Sequence, residues 1–210
     1  MDNSWRPAAT IQTMSSPRLV LRALQRRDYD AWMHLRWVNA QWLKPWDPTD
    51  PTGQAPSTSY RQMLRTQRRA ASHGLGYSWV VTLPRTGSGR GVKTDRLIGQ
   101  VSLSGIQYGA ARTASIGYWI DHGHAGQGLT PEAVALVCHH GYETLRLHRL
   151  EINVRPENQA SLRVVRKLGF RDEGLRERYL HIDGQWRDHR TFALNREDFG
   201  TSIFEHTNEQ

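Results

Sequence analysis

Apolar residues return along the chain with two periods. Alternation of polar and apolar positions marks a short strand at Arg18–Ala23, and further extended segments are read at Tyr77–Leu83, Arg96–Gln107, Ala114–Asp121, His148–Val154, Glu173–Ile182 and Trp186–Leu194. Helical spacing places Trp32, Leu35 and Val38 on one face of a helix capped by Asp28, which ends before the proline-marked segment Pro45–Pro56. A second helix is expected over Tyr60–Ser72. A third opens at Thr130-Pro131-Glu132, with Thr130 as cap, and carries Val134, Val137, Cys138, Gly141, Tyr142 and Leu145 on one stripe. A fourth is capped by Asn158, turns Leu162, Val165 and Leu168 inward, and closes at Gly169 and Phe170. Asp183-Gly184 suits a tight hairpin, and Pro84–Lys93 reads as an exposed loop. The order predicts an α/β fold, with one mixed sheet of about seven strands and about four helices in a single domain. Residues 1–16 are expected to be a loose lead-in, 17–200 the domain and 201–210 a tail.

Composition removes several function classes. The 210 residues hold one cysteine, so an intramolecular disulfide and a cysteine-based zinc cluster are excluded. Cys138 lies in an apolar stripe and is read as a small core residue. No apolar run approaches the ~18 residues of a membrane span, and Met1–Ser16 lacks the apolar stretch of a secretory signal, so a cytoplasmic location is expected. The ten histidines show no metal-ligand spacing; His139-His140 is read as a solvated helix turn, and no metal is expected. The net charge of +8 invites a nucleic-acid reading. Its excess falls in residues 51–94, which contain seven Lys/Arg and no Asp or Glu, either a solvated face or a surface that docks on phosphate.

The densest chemical signal is the turn Gly123–Gly128 between a strand and a helix start. Backbone N–H groups converge at such a place and the helix dipole favours an anion. The loop lacks the Gly-Lys-Ser/Thr of a P-loop and the third glycine of a dinucleotide fingerprint, so a phosphate cradle and a structural turn both remain open from the loop alone. Its surroundings resemble the Gcn5-related N-acetyltransferase family. There a Gln/Arg-x-x-Gly-x-Gly/Ala loop cradles the pyrophosphate of acetyl-CoA; here Gly126-Gln127-Gly128 supplies the glycines, and Gly123 stands at the leading Gln/Arg position. Asn158 and Ser161, the run Lys167–Gly174 and the tail Ile182–His189 are similar to the branch that acetylates the N-terminal alanine or serine of ribosomal proteins.

The resemblance implies a fold, a cosubstrate and roles. Acetyl-CoA would be held by Trp119 and Ile120 of the strand, by His124, Ala125, Gly126, Gln127, Gly128, Leu129 and Thr130 of the loop and helix start, and by Asn158. Ser161 would donate a proton to the departing sulfur, with Tyr179 a competing acid. Glu173 is the acidic residue within the family motif, and Asp188 and Asp121 are the other acids near it, so the base stays open. Trp32 and Trp37 are read as core, and Trp42 and Trp46 as the aromatic rim of the acceptor site. The implied activity is acetyl transfer to a protein N-terminus, with no membrane and no required nucleic-acid contact. The alternatives are a small-molecule amine acetyltransferase and a non-catalytic module that binds CoA or RNA.

Overall fold

The computed structural model describes residues 7–53, 59–84 and 95–200. Its strands are β1 Met14–Ser15, β2 Val20–Arg22, β3 Tyr77–Leu83, β4 Arg96–Gln107, β5 Thr113–Ile120, β6 Arg149–Val154, β7 Arg171–Ile182 and β8 Gln185–Asn195. They make one sheet in the order β1-β2-β3-β4-β5-β6-β8-β7. Every neighbouring pair is antiparallel except β5 and β6. The helices are α1 Tyr29–Val38, α2 Ala40–Leu43, α3 Tyr60–Ser72, α4 Leu129–His139 and α5 Gln159–Lys167. Among the described residues this is eight strands and five helices, against about seven and four expected. The additions are the two-residue β1 and the four-residue α2, both too short to leave a period in the sequence.

One face of the sheet packs on α4 and α5, whose Val134, Val137, Cys138 and Val165 are buried with Trp79, Leu103, Leu150 and Leu194. Burial pushes the Cys138 thiol up, as suits a core residue. A smaller cluster, Leu24, Trp32, Leu35, Leu64, Val80 and Leu97, lies under α1 and α3. Val80 and its neighbours Trp79 and Val81 therefore serve opposite faces, as strand alternation requires. Asp183 (φ 47°) and Gly184 (φ 76°) form the β7–β8 turn, both in the left-handed region that a two-residue hairpin uses.

Several local expectations are corrected. Ser59 caps α3 by accepting from the Gln62 N–H, but Asp28 does not cap α1: its carboxylate turns back to the Arg22 guanidinium and the Gln25 N–H. Thr130 is not the cap of α4; Gly128 at φ 75° holds that place, and Thr130 lies inside the first turn. Val38 is 50% exposed and Trp37 76% exposed, whereas Trp32 and Leu35 are core. The buried stripe continues through Asn39, because the chain bends there between α1 and α2. His140 is no solvated turn residue: it is buried, edge-on to the Tyr77 and Trp79 rings, and burial pushes it down to about 4.

Part of the lead-in is held. Tyr77 Oη donates to the Ala8 carbonyl at 2.5 Å and Trp79 Nε1 to the Gln12 carbonyl at 2.8 Å. Most of the loop expected at 84–93, and the tail 201–210, lie outside the described residues. Arg61, Arg65, Arg68 and Arg69 of the basic stretch stand exposed on α3. No helix among the described residues is long and apolar enough to cross a membrane.

Candidate active site

The site is made by strands that separate. β5 and β6 pair only at Thr113↔Arg149, Ala114↔Leu150 and Ser115↔Glu151, and β5 then runs on to Ile120 with no partner on that side among the described residues. Its other side stays bonded to β4. Asp121 N–H donates to the Ile98 carbonyl at 2.7 Å, and the Trp119 carbonyl stands so close to Gly99 that a Cβ there would meet it at 2.4 Å. Backbone direction alternates along a strand, so Tyr118 and Ile120 turn their N–H and C=O groups into the gap. A cleft of about 490 Å³ opens there. It is lined by Ile116–Trp119 of β5, by Ile152–Val154 and Arg155, by Asn158 and Ser161, and by Leu43, Trp46, Asp47, Leu180, Ile182 and His189.

The glycine loop follows β5 directly and does not line that cleft. Gly126 (φ 78°) and Gly128 (φ 75°) both need the left-handed region, and no heavy atom stands within 4 Å of where a Gly126 Cβ would be. The turn that leads into α4 thus has open space beside Gly126. Two clamps hold the loop. Arg18 donates to the Gln127 carbonyl at 3.2 Å and pairs with the buried Glu132, which also accepts from Ser16 Oγ. Asn39, 2% exposed, donates to Asp121 Oδ1 at 2.7 Å and accepts the His122 N–H at 2.9 Å. Burial alone would raise the Asp121 carboxyl, but hydrogen bonds from Asn39 and His124 hold it below the usual range. His124 is spent on this pair, its Nδ1 at 2.6 Å from Asp121 Oδ2. Gln127, exposed, donates across the loop to the Gly123 carbonyl at 3.0 Å.

Asn39→Leu should remove two of these bonds and leave the Asp121 carboxylate and the His122 N–H short of partners. The expected result is about tenfold weaker binding of acetyl-CoA, the value of one ~1.4 kcal/mol interaction, with kcat little changed. Calorimetric titration beside steady-state kinetics measures both.

Asn158 caps α5 by accepting the Ser161 N–H at 3.0 Å, and both residues line the cleft. Opposite them the Tyr118 hydroxyl is buried without a hydrogen-bond partner among the described residues. Burial pushes it up to about 12, and Ser161 lies near enough to pull it part of the way back. Trp46 lines the mouth, with the Arg155 guanidinium 5.3 Å from its ring centre and Arg155 Nη1 donating to the Pro45 carbonyl at 2.6 Å. Trp42 is not in the lining. Its Nε1 donates to the Ile120 carbonyl at 3.2 Å and its ring meets His122 edge-on, so it fastens the end of β5.

The expected acids and bases fare differently. Tyr179 stays behind the lining, edge-on to His189 at 6.1 Å and under the Arg176 guanidinium. Glu173 is not brought to the cleft: Arg149 and Arg171 grip it and hold its carboxyl down to about 2, too acidic to take a proton near neutrality. Asp188 accepts the Arg178 N–H at 2.7 Å beside a β7 irregularity. Among the described residues the single carboxylate in the lining is Asp47, paired with Arg36 at 2.5 Å. Sequence reasoning missed Asn39, Arg18, Tyr118 and His189. Asn39 left a signal, as a polar residue in step with an apolar stripe, and His189 closes the tail motif Ile182–His189.

An opened strand edge beside a glycine-lined helix start is the architecture of an acyl-transfer enzyme that takes a long, phosphate-bearing thioester. Comparison with known proteins agrees with that class. The family model described as "Acetyltransferase (GNAT) domain" matches residues 18–171, and the chain belongs to that family. It is 29% identical over 188 residues to the ribosomal protein uS5 alanine N-acetyltransferase of Escherichia coli, covering 89% of this chain and 92% of that one. A stretch of 100 residues is 47% identical to the probable N-acetyltransferase YjcK of Bacillus subtilis, and spans only 48% of this chain and 55% of that relative. Among solved structures, Mycobacterium smegmatis RimJ in complex with CoA-disulfide superposes with a TM-score of 0.83 at 32% identity, covering 97% of this chain and 96% of that one.

Proposed function

We propose that this acetyltransferase modifies the α-amine at the N-terminus of a protein, and that its substrate is a ribosomal protein beginning with alanine or serine. The observation that carries the reading is the charge of the cleft: among the described residues its one lining carboxylate, Asp47, is paired with Arg36, and none of the others in the lining is an acid that would answer a polycationic acceptor. The apolar lining residues Leu43, Trp46, Leu180 and Ile182 suit a short peptide end. The relative that acts on uS5 alanine supports the same substrate class.

Acetyl-CoA supplies an acetyl group activated as a thioester. The open edge of β5 at Tyr118 and Ile120 suits its pantetheine arm, and the Gly126–Gly128 amides with the α4 N-terminus suit its pyrophosphate. The Asn158 carbonyl oxygen is used in capping, which leaves its amide N–H groups for the arm. In this reading Ser161, which lines the cleft, gives the departing sulfur a proton, and backbone N–H groups on β5 polarise the carbonyl. An α-amine of pKa about 7.7–8.0 is roughly one-quarter neutral near pH 7.4, whereas a lysine at about 10.4 is neutral about once in a thousand. The chemistry therefore favours a chain terminus over a side chain.

The test is release of free CoA with peptides beginning Ala or Ser, run against spermidine. Turnover of the peptides is expected. Turnover of the polyamine with none of the peptides would remove the substrate assignment.

A further inference from the structure

We propose that His189 is the base that accepts a proton from the acceptor ammonium, a role that rests on the N-terminal acetyltransferase reading. β8 leaves its ladder with β6 at the pair Val154↔Arg190, so His189 is the first β8 residue beyond that ladder, where the sheet gives way to the cleft. It lines the cleft together with Ser161 and Tyr118, yet is only 3% exposed.

Its ring is oriented. Nδ1 lies 3.0 Å from the Arg187 carbonyl, which can only accept, so Nδ1 carries the hydrogen and Nε2 carries the lone pair. Nε2 has no hydrogen bond among the described residues. The neighbouring carboxylates are engaged: Asp47 by Arg36, Glu157 by Arg155, Glu173 by Arg149 and Arg171, Asp121 by Asn39 and His124, Asp188 by the Arg178 N–H. Groups on every side set the charge of the imidazole. Burial lowers its pKa first; the Arg187 carbonyl raises it; Arg155 lowers it; Glu157 and Asp188 raise it; and Tyr179 meets the ring edge-on from β7. The balance lies below the ordinary histidine value, so the ring is neutral and able to accept at neutral pH.

Proton and bond counts close. The ammonium brings three protons and the product amide keeps one. One passes to Nε2 and on to solvent, which frees the nitrogen lone pair to form the C–N bond. The C–S bond breaks with its electron pair left on sulfur, which takes the Ser161 hydroxyl proton to give the free thiol, and the remaining amine proton restores the Ser161 hydroxyl.

The test is the pH dependence of kcat/KM for an Ala-initiated peptide with wild type, His189→Asn and His189→Gln. Asparagine can keep the bond to the Arg187 carbonyl while removing the base. Between about pH 6.5 and about pH 8 the wild type should be flat, because it uses the ammonium form, while the variants should rise about tenfold per pH unit until the amine itself deprotonates. At pH 6.5 the variants should be about 100-fold slower, with unchanged affinity for acetyl-CoA. Equal loss at every pH would mark a packing role and overturn the assignment, and so would a tenfold-per-unit rise in the wild type. If neither variant folds, the wild-type profile and a histidine-selective NMR titration still decide, since the acid limb must coincide with His189. If the wild type acetylates only a small amine, the substrate reading fails, and the same comparison on that amine judges His189 separately.

Discussion

Gly126→Val should weaken CoA binding by at least tenfold while leaving the protein folded. The residue sits at φ 78° with no heavy atom beyond its chain neighbours within 4 Å of the Cβ position, so an added Cβ meets no other described part of the protein. What it costs the fold is left-handed strain, about 1–2 kcal/mol, or a fall in Tm of roughly 2–8 °C for a domain of this size. What it costs the ligand is larger, because the side chain enters the open space beside Gly126, and phosphate can no longer approach the α4 amides. Calorimetric titration with CoA and a thermal melt separate the two effects. A large fall in Tm with unchanged affinity would make the loop a structural turn.

Asp28→Asn is expected to produce the largest loss of stability, far from the cleft. Arg22 reaches the carboxylate through two bonds, Nη1 to Oδ2 at 2.7 Å and Nη2 to Oδ1 at 3.0 Å, and the Gln25 N–H adds a third at 2.8 Å. The two side chains are 9% and 6% exposed. Removing the charge leaves a buried guanidinium with the longer contacts to Asp95 and the Ala23 carbonyl, and about 3–5 kcal/mol is the expected cost, roughly 6–20 °C in Tm. The sign of the pH dependence follows. Burial raises the Asp28 carboxyl, but the Arg22 and Gln25 hydrogen bonds outweigh it, so the folded value lies below the unfolded one near 3.8. The stabilisation is complete above the unfolded value and is lost as pH falls through the folded value. Wild-type Tm should therefore drop steeply below about pH 4, and the variant should be flatter there. Parallel curves would show that the pair carries little.

Much of this molecule can be read from residue order. The ends of α3, β3 and β4, the Asn158 cap and the Asp183-Gly184 turn follow from local rules, because each is decided by residues adjacent in sequence. The cleft is different. It exists because β5 and β6 hold register for only three pairs, and those residues lie more than thirty positions apart. Glu173 shows the same limit: its motif position suggested chemistry, but Arg149 on β6 and Arg171 beside it decide its charge. The α1 stripe misled at Val38, since the bend at Asn39 hands the buried place to a polar residue that the loop then uses. His189 reads locally as one more strand position, and only the run of β8 past the end of β6 sets it in the cleft.

The most direct test of the central claim is to locate the acetyl group. A peptide beginning with alanine and containing an internal lysine is incubated with acetyl-CoA and sequenced by fragmentation mass spectrometry, beside the same peptide with its α-amine blocked. The account predicts one acetyl group on the α-amine of the free peptide and none on the blocked one. Acetylation of the lysine in the blocked peptide at a comparable rate would contradict it.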